Sequence, residues 1–179
     1  GRSDRLVLRA IAREAGCSHV NVYNHVKDLD ELLWHAYCRA MTDYRGWCLD
    51  RATSTGVQHG GGRGAPLLAL ARAMLDFAGA HEGLWRLLWL DRLSSPPPAF
   101  ALEGVAPAAE DFRRLVAESL GPDQARENAD TLAAWTLGQI AMLVNGRTGP
   151  DRKAAEARVM KEAARLIHLL GTPPAKETT

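Results

Sequence analysis

Valine and isoleucine are scarce in this chain: nine and three of 179 residues, against 29 Ala and 24 Leu. Strand interiors favour β-branched side chains and helices favour Ala and Leu, so the composition argues against any sheet-based fold and for an all-α one. Cysteine is scarce too. Three thiols with no close spacing make no disulfide scaffold and fit a reducing compartment. Long apolar runs are missing: the longest uncharged stretch, Thr131–Gly146, has 16 residues and includes Gln139, Asn145 and two glycines. A bilayer span needs about 20 predominantly apolar residues, so no membrane partner is expected. The N-terminal Gly1-Arg2-Ser3-Asp4-Arg5 is followed by no apolar segment of signal-peptide type. An excess of charge is also lacking, since 22 basic residues face 21 acidic ones, which excludes a polybasic tail binder.

Helical patterning runs through most of the chain. Leu8, Ile11, Ala12 and Ala15 share one face of a short helix predicted over Leu6–Ala15, with Gly16 as its stop. Ser18 is a ready N-cap for a second helix from His19 to about His25. Asp28 or Asp30 opens a long amphipathic helix to about Arg51. The stretch Thr53–Gly64 contains five glycines and reads as a flexible loop and domain boundary. Helices follow near Ala65–Ala80 and Glu82–Leu93, then a break at Ser94-Ser95-Pro96-Pro97-Pro98. Another helix runs to Leu120, with a candidate interruption at Pro107. Helices from Pro122 to about Asn145 and from Asp151 to Leu170 complete the pattern. The division expected is residues 1–51, 65–170 and a polar tail over 171–179.

The first two helices and their Gly-centred corner read as a helix-turn-helix. Its second helix is expected to bury Val22 and to present His19, Asn21, Asn24 and His25 outward. Amide and imidazole groups reach base edges, and Tyr and Lys reach phosphate oxygens. Residues 1–27 carry five basic side chains against two acidic, whereas residues 28–179 carry 17 against 19. The near-zero total therefore conceals a positive end.

Leu6-x-x-Arg9-x-Ile11-Ala12-x-x-Ala15-Gly16-x-Ser18, followed by Val22-Tyr23-x-His25-Val26-Lys27 and Glu31-Leu32-Leu33, resembles the DNA-binding domain of TetR-type transcriptional repressors. The resemblance covers about residues 6–40 at motif level. It implies that Arg9 contacts base or phosphate, that His19 and Asn21 read bases, and that Tyr23 and His25 position phosphates. Ser18, Asn24 and Lys27 complete the candidate DNA-binding set. Where the family commonly carries a phosphate-touching Lys this chain has Leu29, leaving Lys27 as the nearest cation. The family's first helix would precede Leu6, so a longer natural protein is expected. The resemblance also implies a bacterial, cytoplasmic location, a palindromic double-stranded DNA operator, and repression relieved by a ligand.

Several large side chains punctuate the C-terminal helices. Met74, Phe77, Trp85, Trp89, Phe112, Trp135 and Met142 are ordinary core residues taken singly, but together they are candidates to line a cavity for a small apolar or amphipathic ligand. His81 and Gln139 are the candidate polar groups there. Ala133, Ala134, Gly138 and Ala141 form a small-residue face on one helix, matched by Val159, Ala163, Leu166 and Leu170 on the last. Intrachain packing explains both stripes, and so does a two-fold four-helix interface, since helix-turn-helix proteins usually read paired half-sites as homodimers.

Other chemistry finds little support. Cys17, His19 and His25 do not have zinc-site spacing and lack a fourth ligand nearby. Cys38 and Cys48 lie about 15 Å apart along one helix, which suits buried apolar thiols better than a redox pair. No nucleophile elbow, phosphate loop or metal-binding helix is present, so neither catalysis nor a cofactor is expected.

Overall fold

The computed structural model describes residues 2–58, 62–91, 93 and 96–171. The described residues form eight helices and no strand. The first three are α1 (Arg2–Glu14), α2 (His19–Tyr23) and α3 (Leu29–Gln58). They are followed by α4 (Ala65–Ala80), α5 (Glu82–Trp89), α6 (Ala99–Leu120), α7 (Pro122–Val144) and α8 (Arg152–Leu170). The glycines at 60 and 61, Ser94, Ser95 and the tail from 172 lie outside the described residues.

Local chemistry sets the helix-turn-helix corner. Gly16 takes φ +68°, while its amide donates to Arg13 O and that of Cys17 to Ala12 O, at 3.1 and 2.9 Å. This is a Schellman ending, which glycine adopts without a Cβ penalty. Ser18 then caps α2 by accepting from the Asn21 amide at 3.2 Å. Asp28 caps α3 by accepting from the Glu31 amide at 2.9 Å, and Glu31 reaches back to the Lys27 amide at 2.6 Å. Two reciprocal bonds of this kind satisfy amides that a helix start leaves orphaned.

Several expected boundaries move. α1 begins at Arg2, earlier than Leu6, and only Leu8 and Ala12 of its expected inner face are buried; Ile11 and Ala15 are exposed. α2 ends at Tyr23, with Asn24 as its C-cap, so Asn24 and His25 follow the helix rather than belong to it. Val22 is half-buried, and Val26 is the residue that packs beneath the turn. α3 continues through Thr53–Gln58, where a loop was expected. Thr53 and Ser54 turn their hydroxyls back to Leu49 O and Asp50 O, which satisfies them without leaving the helix. α5 stops at Trp89 rather than Leu93. α6 runs unbroken through Pro107, which sits on the exposed face where water can serve the carbonyl that loses its amide partner.

α4 is the hub of the C-terminal helices. It contacts α3, α5, α6, α7 and α8, and a helix surrounded in this way is apolar over most of its surface, with Arg72 and Asp76 paired on the one edge that reaches water. Leu67, Leu70, Ala73, Leu75, Phe77 and Ala78 are accordingly all buried. Trp85, Val116 and Ile140 close the core around it with no exposed surface. Leu8, Ala12 and Val26 are buried apart from this cluster, in a small core of their own under the helix-turn-helix. α3 joins the two, since it touches α1 near one end and α4, α5 and α6 along the rest.

Candidate DNA interface and ligand cavity

The corner between α1 and α3 presents a polar surface. Arg9, Ser18, His19, Asn21, Tyr23, Asn24, His25 and Lys27 are all exposed, so every candidate DNA-binding residue reaches solvent. Their roles differ locally. Ser18 is engaged as the α2 cap. The Lys27 ammonium lies 4.0 Å from Glu31, an exposed pair whose contribution is small. Arg9 has no ion-pair partner among the described residues.

A cavity of about 340 Å³ opens between α3, α4, α6 and α7. Of the nine candidate ligand residues it takes Met74, Trp89 and Phe112. Trp135 lines a neighbouring crevice of only about 20 Å³, which shares Met74 and Phe112 with the larger space. Phe77 and Trp85 are buried in solid core instead, held edge-on against Tyr44 at 5.3 and 6.3 Å. His81 packs against Phe77 and Trp47, Gln139 is half-buried away from both spaces, and Met142 is 48% exposed. These five candidates therefore do not line the cavity.

The wall that the sequence pattern did not single out comes from α3. Tyr37, Met41, Tyr44 and Cys48 recur at helical spacing and face the cavity, with Arg45 beside them. Burial pushes the Cys48 thiol up to about 12 and the Tyr44 phenol well above its ordinary value. Both groups are therefore neutral and act as part of an apolar surface. The charged lining consists of Arg45, Asp111, Arg113 and Asp130. Arg45 Nε donates to Asp111 Oδ2 at 2.5 Å, and Arg114 donates to Oδ1 of the same carboxylate at 2.6 Å. Asp111 is buried, while Arg113 and Asp130 are exposed and mark the solvent side. A space of this size, mostly apolar with a few polar groups, is at the lower end for a small-molecule site.

The two stripes expected to form an interface separate. Val159 and Ala163 are buried within the chain, because α8 turns that face toward its own neighbours. Leu166 and Leu170 are half-buried against the same core. On α7, Ala134 and Gly138 are exposed and Ala141 is half-exposed, whereas Ala133 faces the cavity. No group of His, Cys, Asp or Glu among the described residues is arranged to hold a metal ion. No helix among them is long and apolar enough to cross a membrane.

These features define an all-helical protein with a helix-turn-helix at one end, joined by one long helix to a cavity-bearing bundle. Residues 67–166, from α4 to the last turns of α8, match the family described as "Tetracyclin repressor-like, C-terminal domain". The match spans more than half of the chain, which belongs to this TetR-like family of transcriptional regulators. No curated protein and no solved structure matches the chain significantly.

Proposed function

We propose that the protein is a ligand-responsive repressor that binds a palindromic DNA operator as a homodimer. The observation that carries this reading is the continuity of α3. One helix of 30 residues begins at the capping bonds of the helix-turn-helix and supplies a wall of the cavity at Tyr37–Leu49. At 1.5 Å per residue it is about 45 Å long. A molecule seated in the cavity presses on the element from which the DNA-reading corner hangs.

The mechanism is an equilibrium between two settings of that corner. In a dimer bound to DNA, paired α2 helices enter successive major grooves about 34 Å apart. A ligand that binds better to another spacing shifts the population by its difference in affinity, no more. His19 and Asn21 read base edges, Tyr23 and His25 hold phosphates, and Arg9 and Lys27 add charge. Residues 1–51, the helix-turn-helix with its connecting helix, serve as the DNA-binding part and residues 65–170 as the ligand-binding and dimerisation part, with α3 lending the cavity one wall, in a cytoplasmic protein with no catalytic role. The exposed α7 face at Ala134 and Gly138 serves as the dimer contact, with Leu166 and Leu170 at its margin.

The test is a footprint of the full chain on the DNA upstream of its own gene, with Asn21→Ala and Tyr23→Ala alongside. Asn21→Ala is expected to relax base preference at one position, by about 1–3 kcal/mol, and Tyr23→Ala to weaken all sequences alike. Footprints indistinguishable from that of the parent would remove the assignment of α2 to the major groove.

A further inference from the structure

The charges that line the cavity cancel. Arg45 and Arg113 stand against Asp111 and Asp130, two of each sign. Arg45 donates to the buried Asp111, while Arg113 on α6 and Asp130 on α7 flank the solvent side. Behind the lining the balance repeats, since Arg114 donates to the second Asp111 oxygen and lies 3.9 Å from Glu118. Burial raises the Tyr37, Tyr44 and Cys48 groups above their ordinary values, so all three are neutral near pH 7. The Trp89 indole nitrogen has no surface open to the cavity, so this side chain offers ring carbon. Met41, Leu70, Met74, Phe112 and Leu137 extend the apolar lining, and the Thr136 hydroxyl adds a neutral polar group.

An ion that enters such a space loses its hydration and finds no surplus counter-charge, so both signs are disfavoured. A neutral apolar molecule avoids that cost and gains contacts with rings and thioethers. Size narrows the choice further. An apolar cavity of about 150 Å³ takes one benzene, and this one has about 340 Å³. From this arrangement we infer that the cavity takes an uncharged, largely apolar molecule about the size of two fused six-membered rings, and rejects carboxylates and ammonium ions of the same shape. The inference rests on the ligand-binding reading above and narrows it to one chemical class.

Calorimetric titration of the full chain at neutral pH with three probes of one skeleton, 2-naphthylmethanol, 2-naphthoate and 2-naphthylmethylammonium, tests the class. 2-Naphthylmethanol is expected to bind about tenfold or more tightly than either ion. 2-Anthracenylmethanol, one ring longer, should bind no more tightly despite its larger apolar surface. Asp111→Asn leaves Arg45 without its carboxylate, and should tighten 2-naphthoate about tenfold with little change for 2-naphthylmethanol. Ala133→Phe places a ring in the space, and should abolish binding of 2-naphthylmethanol in a protein that keeps the parent's helical circular dichroism. Equal binding of the three naphthyl probes, or a preference for either ion, overturns the uncharged class while leaving a ligand cavity in place. Tighter binding of the anthracenyl probe overturns the size. Unchanged binding by Ala133→Phe overturns the inference by placing the molecule elsewhere. If no probe binds, the ligand-binding reading fails with it.

Discussion

The imidazole of His35 lies face to face with the ring of Phe100, centroids 4.4 Å apart and planes within 11°. His35 is on the part of α3 nearest the helix-turn-helix, and Phe100 is in the first turn of α6. The stack therefore fastens α6 to α3 about three helical turns from the Arg45–Asp111 pair, which lies near the middle of both helices.

Removing the ring should loosen that end while sparing the core. Ring pairs contribute about 0.5–1.5 kcal/mol beyond buried area, and Phe100 is only half-buried. Phe100→Ala is expected to lower unfolding free energy by roughly 1–2 kcal/mol in urea titration. Hydrogen exchange should rise mainly in the first turns of α6. A loss spread evenly over α4 and α7 would show that the stack is not a local fastening.

Trp85 invites a sharper comparison. It is fully buried, yet its indole Nε1 has no acceptor among the described residues. Trp85→Ala is expected to cost about 3–5 kcal/mol by leaving a large cavity in the core. Trp85→Phe removes the unpaired donor together with some volume, and these effects oppose one another. Its cost should stay below about 2 kcal/mol. A Trp85→Phe loss well above about 2 kcal/mol, read from denaturant midpoints, would mean that the indole nitrogen has a partner after all.

Alkaline conditions should destabilise the fold through α3. The folded Cys48 thiol titrates near 12 because it is buried, against an ordinary value of 9.0. Between those values the unfolded chain has released this proton and the folded chain still holds it, so the stability is full below about pH 9 and falls as pH rises toward about 12. The slope is about 1.4 kcal/mol per pH unit for the thiol. Tyr44, raised above 10.0 by its own burial, adds to it at the upper end of the window. Cys48→Ala should flatten the decline between about pH 9 and pH 10, where Tyr44 has not yet begun to contribute. Denaturant midpoints that fall equally steeply in the variant would assign the loss to other groups.

The helix-turn-helix was legible in the sequence because its determinants are local. Gly16, Ser18, Asp28 and Glu31 each act within five residues of themselves, through a positive φ or a cap. The inner face of α1 was less legible, since Ile11 and Ala15 have apolar side chains that the structure leaves exposed. Glycine content was misleading at Thr53–Gly64, where hydroxyl groups bonded to the preceding turn let α3 continue through Gln58. The cavity was the least legible part. Whether an aromatic ring fills core or borders space depends on where neighbouring helices diverge, and composition does not carry that information. Phe77 and Trp85 sit where α3, α4 and α5 meet, whereas Trp89 and Phe112 border the space left between α3, α4, α6 and α7. The spacing of Tyr37, Met41, Tyr44 and Cys48 was available as a signal, but it lay on a helix that reads as a connector.

Gly138 offers the cleanest separation of folding from assembly. It is exposed on α7, and a Cβ built there meets nothing within 4 Å. Glu at this position has room within the chain and improves on glycine's helix propensity by about 0.5–1 kcal/mol. A dimer contact formed on this face would instead place two like charges near its two-fold axis, which is strongly unfavourable once water is excluded. Gly138→Glu is therefore expected to give a folded monomer in light scattering, with an unfolding midpoint at or above that of the parent at equal monomer concentration. DNA binding should weaken because two half-sites are no longer read together. A Gly138→Glu protein that keeps the mass of a dimer would move the interface off this part of α7.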